Sequence, residues 1–200
     1  VDTIVIYNGH YLENISTTPN GIRLLTGTQY LKENDNNLKT IHNSPFDLFN
    51  IAFMDSGICM IIEENSTIEK PIRFLFISNG NESIMMNPRI YIDAKQSSAF
   101  TFIEQHVGNA QSFFNNESIF LLLQDKSQIE HIRIQSSSPF TNNITNINVD
   151  QKNMSQYNFF QLNNGSQLNR NNIYVHLNDQ YAQCTINDLN LSQENQHNDN

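Results

Sequence analysis

From Ile58 onward, short β-branched and aromatic runs recur at a near-constant spacing, and that spacing restricts the fold more than any other feature of the chain. Ile92, Leu121, Val149 and Leu177 close successive runs at steps of 29, 28 and 28 residues. The runs that follow begin at Ala99, Gln128, Gln156 and Gln183, at steps of 29, 28 and 27. Two independent markers therefore keep a period of about 28, with two short runs in each repeat. A propeller blade needs four strands and roughly 40–45 residues, and the Leu/Asn ladder of a leucine-rich repeat is missing. Two strands and two turns fit one coil of a parallel β-helix, in which each coil hydrogen-bonds to the next. The usual hand of parallel crossovers makes the expected helix right-handed. No stretch between the runs has the length and periodicity of a crossover helix, so the fold class is all-β.

Aligning the second strand of each coil places Phe100, Ile129, Tyr157 and Cys184 in one inward column and Phe102, His131, Phe159 and Ile186 in the next. Thr101, Glu130, Asn158 and Thr185 fall between them, facing out, and all are polar. One strand breaks the pattern. Ile132 and Ile134 have the opposite parity from Ile129, which suggests a bulge or a shifted register and leaves the direction of His131 open.

Ahead of the repeats, Thr3–Tyr7, Asn8-Gly9 and His10–Leu12 read as a hairpin, because Asn-Gly supplies the two positive-φ residues of a type I′ turn. Residues 13–43 are polar and weakly periodic, apart from Ile22–Leu25, and read as a connecting segment. Ser44-Pro45 and the run to Phe53 form the one helix signal: Ser44 caps, Pro45 suits the first turn, and Phe46, Phe49 and Phe53 share a face, with Gly57 ending the stretch. The expected division is 1–43, hairpin and connection; 44–57, short helix and lead-in; 58–200, parallel β-helix.

With 11 Lys+Arg against 20 Asp+Glu the net charge is −9. So few cations neutralise few phosphates, which argues against nucleic acid as a partner. No apolar run approaches a membrane span, and no signal peptide is visible. Cys59 and Cys184 form no spacing motif, so neither a disulfide framework nor a Cys-pair metal site is expected.

Candidate ligands are His106, His131, His176 and Cys184, with Glu130 beside His131. Imidazole, thiolate and carboxylate together could hold iron or zinc, but no two of these residues show a ligand spacing. They read as structural side chains, as does Cys59. The carboxylates Asp93, Glu104, Glu117, Asp125, Glu130 and Asp150 read as scattered over different faces, without the close pair that glycoside cleavage requires. No Gly-rich phosphate loop, nucleophile elbow or zinc-helix motif occurs. The expected object is a solenoid without an evident active site, whose edge strands could also pair with one another.

Several blocks carry a family resemblance: Tyr7-Asn-Gly-His-Tyr11, Asn50–Ile58, Ile68-Glu-Lys-Pro-Ile-Arg-Phe-Leu-Phe-Ile77, Asn87-Pro-Arg89, Phe102–Gly108, Ile129-Glu-His-Ile-Arg-Ile-Gln135, Leu168–Asn171, Cys184–Leu189 and Gln196–Asn200. In these the chain resembles the SufB/SufD family, the core subunits of the SUF iron–sulfur cluster assembly machinery, and looks nearer to SufD than to SufB. The resemblance implies a right-handed parallel β-helix that serves as a cytoplasmic scaffold, or a plastid one in a eukaryote. It would have no turnover of its own and would pair with a SufB-like β-helix subunit. It also implies a SufC-type ABC ATPase docking on a C-terminal helical region, and a Cys-x-His pair downstream. Neither feature is present in these residues, so the chain is expected to be a central piece. An iron–sulfur cluster is implied for the full complex, while no catalytic, cofactor or metal residue carries over onto this chain. The alternatives are a SufB-like cluster-bearing scaffold and a secreted carbohydrate-binding or carbohydrate-cleaving β-helix.

Overall fold

The computed structural model describes residues 1–33, 44–54, 57–108, 112–193 and 195–199. The recurrent runs form strands, and the strands stack in register. One sheet collects β1 (Asp2–Tyr7), β2 (His10–Tyr11), β5 (Thr67–Ser78), β8 (Ala99–Gly108), β10 (Gln128–Ser137), β12 (Gln156–Gly165) and β14 (Gln183–Leu191). The other collects β3 (Ile22–Thr26), β4 (Gly57–Ile62), β7 (Arg89–Ala94), β9 (Ser112–Leu123), β11 (Thr141–Gln151), β13 (Leu168–Leu177) and β15 (His197–Asp199), with β6 (Ser83–Met86) also paired to β9. From β7 onward successive strands alternate between the sheets, and pairing within each is parallel except where β2 turns back on β1 and β3 on β4. The result is a parallel β-solenoid of about five turns with a short N-terminal hairpin. The hairpin turn has the positive φ angles expected of Asn8 and Gly9, and β1 continues the first sheet by pairing with β5.

One corner of each coil is a stacked turn. Asn65, Ser97, Lys126, Met154 and Tyr181 all have φ between 55° and 62°. The N–H groups of the first four donate to Gln96, Asp125, Asn153 and Gln180 of the next coil at 2.8–2.9 Å. A serine follows at Ser98, Ser127 and Ser155, each hydroxyl donating to a carbonyl three residues back at 2.7 Å. The left-handed conformation disfavours ordinary side chains, yet Met154 adopts it, its N–H donating to the Gln180 carbonyl of the neighbouring coil.

The expected columns Phe100–Ile129–Tyr157–Cys184 and Phe102–His131–Phe159–Ile186 are the observed registers. The expected bulge in β10 is absent. Ile129, His131, Arg133 and Gln135 all point inward and are buried, while Ile132 and Ile134 lie half-buried on the outer face. The parity conflict has a simple cause: the lumen turns polar halfway along the strand. The register shift falls instead in β5, between Ile68 and Ile72.

A second correction concerns the other sheet. Val149 pairs with Val175, and Leu177 with Gln151, so this step is 26 residues rather than 28. The corner from β12 to β13 is tighter by two residues than the preceding one, since Ser137 aligns with Gly165 but Asn142 with Leu168. Gly165 permits the tight turn. Its φ is +94°, and a Cβ there would sit 2.0 Å from the Ser137 carbonyl oxygen.

Two helices flank the solenoid rather than the one expected. The segment read as connection contains β3 and α1 (Gly27–Glu33), while residues 34–43 lie outside the described set. In α2 (Pro45–Phe53) Ser44 caps as expected, accepting from Asp47 N at 3.1 Å. The helix stops at Phe53, and Gly57 opens β4 rather than ending it. The expected phenylalanine face is not the buried one, for Phe53 is exposed while Asp47 and Asn50 are buried. Asp47 accepts from Arg89 at 3.0 Å and Ser118 at 2.7 Å, and Asn50 donates to the carbonyls of Pro88 and Asn116 at 3.0 and 2.7 Å. Pro88 has no N–H and interrupts the ladder, so a polar helix stripe is what that stretch of strand edge can bind. No helix among the described residues is long and apolar enough to cross a membrane.

The lumen is divided lengthwise. Near the stacked turns it is dry, filled by Ile92, Leu121 and Val149 from one sheet and Phe100, Phe102 and Phe159 from the other. At the opposite corner the inward residues are His106, Arg133, Gln135 and Gln161, facing Asn115, Glu117, Asn143 and Thr145. Phe102→Ala is expected to lower stability by about 3–5 kcal/mol, and Ile132→Ala on the outer face by far less. Urea denaturation of the two variants checks this.

Candidate functional site: a charged cluster inside the solenoid

β8 and β9 are consecutive strands on opposite sheets, so their inward side chains face each other around the polar corner. Alternation along β8 turns Glu104 and His106 inward, and β9 brings Glu117 to meet them. Arg133 lies one coil along, in register with Glu104, and Thr145 in register with Glu117. Both carboxylates and Arg133 are inaccessible to solvent.

Arg133 bridges the acids. Its Nη1 donates to Glu104 Oε2, and its Nη2 lies 2.8 Å from Glu117 Oε2 and donates to Thr145 Oγ1 at 2.8 Å. His131 Nε2 is 3.0 Å from Glu104 Oε1, and its Nδ1 is 2.8 Å from the Tyr157 hydroxyl. Burial, the charge of Glu104 and the partly buried Cys184 push the Tyr157 phenol well up, despite Arg133, so it stays protonated. An ionised carboxylate only accepts, so His131 Nε2–H donates to Glu104, and in the tautomer with its single proton on Nε2 the Tyr157 hydroxyl donates to Nδ1. Aromatic packing fixes both imidazoles: Phe102 stacks on His131 with centroids 4.6 Å apart, and Phe76 on His106 at 4.3 Å.

Burial by itself would raise the Glu104 carboxyl, but Arg133 and then His131 hold it well below the ordinary carboxylate range. Arg133 is affected conversely, burial lowering it and the charges of Glu117 and Glu104 raising it further, so that it is held above its ordinary value. An ion pair this deep forms only when its members satisfy one another.

The structure thus corrects two expectations. Glu104 and Glu117 are not on different faces; they converge. His106, although not spaced as a ligand to any other candidate, lies 3.7 Å from Glu104 Oε2 and 3.6 Å from Glu117 Oε2. One donor atom from each of Glu104, His106 and Glu117 lies within 4.8 Å of the others, a set that could hold a metal ion. The remaining candidates stand apart. Glu130 points outward and accepts from Asn158 at 2.7 Å, Asp93 pairs with Lys95 at 2.7 Å, and Asp150 accepts from Asn178 at 3.4 Å. Asp125 lies in a stacked turn, and His176 is on β13, remote in register from the cluster. Cys184 ends an apolar column half-buried, and burial raises its thiol. Cys59 is buried in β4 beside Tyr30 and Tyr91, and burial followed by the charge of Asp93 pushes its thiol up to about 12.

Arg133 and Glu117 were missed as functional candidates. Inward parity from Ile129 was the available signal for Arg133. Glu117 sits in the polar opening of a strand legible only from Ile119.

Comparison with known proteins gives a consistent picture. The model of a family described as SUF system FeS cluster assembly, SufBD core domain, matches residues 76–200, a span that holds every member of the cluster. A protein of Synechocystis sp. named as an iron–sulfur cluster assembly SufBD family protein is 25% identical over 191 residues. The match covers 86% of this chain and 42% of the relative, so the chain spans less than half the length of the curated protein it resembles.

Removing the shared cation leaves two buried carboxylates facing each other. Arg133→Met is expected to destabilise the fold by about 3–5 kcal/mol at neutral pH, and adding Glu104→Gln to recover part of the loss. Because the folded-state Glu104 carboxyl is depressed, its contribution is complete above the unfolded value of about 4.3. It is lost as pH falls through the folded value. Urea midpoints across acidic pH should therefore drop more steeply in the wild type than in Glu104→Gln.

Proposed function

The chain belongs to the SufBD family of iron–sulfur cluster assembly proteins, and from that membership we propose that it is a SufD-like scaffold subunit, without turnover of its own. It pairs in the cytoplasm with a SufB-like β-helix subunit and works with a SufC-type ABC ATPase. The observation that carries the SufD-like assignment is the state of its sulfur. Cys59 and Cys184 are both raised thiols, lying on different strands of different sheets. Thiolate is the form that ligates iron and attacks sulfur, so thiols held protonated suit a partner of the cluster-bearing subunit better than that subunit itself. The buried carboxylates support the same reading, since an organic substrate has no room to reach a catalytic pair without solvent exposure. They also weigh against carbohydrate cleavage, which needs its two acids open to a sugar. A rigid solenoid offers instead long outer faces and strand edges for partners.

Anaerobic reconstitution with iron and sulfide tests this. The chain alone should develop little visible absorption and show no measurable ATP affinity, and it should co-purify with a co-expressed SufB-like subunit. Strong absorption from the chain alone would favour the SufB-like reading. ATP binding would overturn the scaffold assignment.

A further inference from the structure

The buried cluster contains an imidazole that the ion-pair network does not use. His106 is 7% exposed, and its Nε2 has no hydrogen-bond partner, being 3.6–3.7 Å from the nearest oxygens of both acids, which is too long for such a bond. Neither oxygen of Glu117 has a well-aligned hydrogen-bond donor. Three ligand-type atoms, one nitrogen and two oxygens, thus point at one another from two strands. We propose that Glu104, His106 and Glu117 form a binding site for a first-row divalent transition metal ion of the Fe2+, Co2+ or Zn2+ kind.

The geometry suits such an ion. Bonds of about 2.0–2.2 Å set neighbouring donors of a tetrahedral ion about 3.3–3.6 Å apart, and His106 Nε2 already lies 3.7 and 3.6 Å from the two carboxylate oxygens. Mixed imidazole and carboxylate ligation selects these ions over Ca2+ or Mg2+, which prefer oxygen alone, and over Cu+, which prefers sulfur. Arg133 does not exhaust the carboxylates, since each oxygen carries a second lone pair. By keeping both acids ionised and oriented it is a positioning residue for the site. Phe76, stacked on the His106 ring, does the same for the imidazole. Among the three ligands His106 retains the most exposure.

The test is anaerobic titration of the full chain with Co2+ alone. One equivalent should bind and develop visible d–d bands, which Zn2+ then bleaches by competition. His106→Gln and Glu117→Gln should each weaken binding by at least about tenfold, while Glu130→Gln on the outer surface leaves it unchanged. Where a ligand variant fails to fold, ring resonances of the wild type decide the matter: bound Co2+ should broaden His106 and leave His176 and His197 sharp. Absence of stoichiometric uptake, uptake unchanged in folded His106→Gln, or broadening confined to His176 and His197 would each overturn the proposal. None of these outcomes bears on the scaffold assignment, which rests on the cysteines and on family membership.

Discussion

Parallel stacking obliges each inward side chain to sit between its counterparts in the coils on either side. A choice at one position therefore constrains a whole column. Phe100 with Ile129 and Tyr157, or Ile92 with Leu121 and Val149, are the apolar consequence, and the dry half of the lumen follows from columns of this kind. The stacked turns enforce the alignment from outside, because the left-handed Asn65, Ser97, Lys126 and Met154 each donate to the coil beside them. Shifting one strand by a residue would reverse its faces and put Arg133 into solvent and Ile132 into the charged lumen.

That constraint explains why charge can exist inside so narrow a tube. Glu104, Arg133 and Glu117 come from three strands in two coils, and none could be buried alone at tolerable cost. The stack brings them within ion-pair distance, with His131 bonding to Glu104, Thr145 to Arg133 and Tyr157 to His131. The same arrangement leaves His106 beside the two acids yet outside their hydrogen bonds. Outer faces and candidate ligand set are thus one construction: the stacked strands that form the long outer faces also hold the lumen groups in place.

How much of this could be read from the chain varied with the kind of residue. Strands anchored by Ile, Val and Phe were visible, as was their stacking, because β-branched runs alternate and recur. The polar openings of β9 and β11, Ser112–Ser118 and Thr141–Asn143, resembled loop because strands there bury asparagine and glutamate rather than aliphatics. Arg133 was hidden by its neighbours, since Ile132 and Ile134 suggested an apolar face that proved to be the outer one. In α2 the three phenylalanines drew attention from Asp47 and Asn50, the residues that attach the helix.

The linear order of residues was enough to establish coil length, strand alternation, the helix cap at Ser44 and the hairpin turn at Asn8-Gly9, because each depends on neighbours in the chain or on a repeat that counting reveals. Only the folded molecule decided that Glu104, His106 and Glu117 meet, and that Val175 rather than Leu177 continues its column. Both outcomes depend on how many residues each corner consumes, and a two-residue tightening at Gly165 is enough to move every register beyond it.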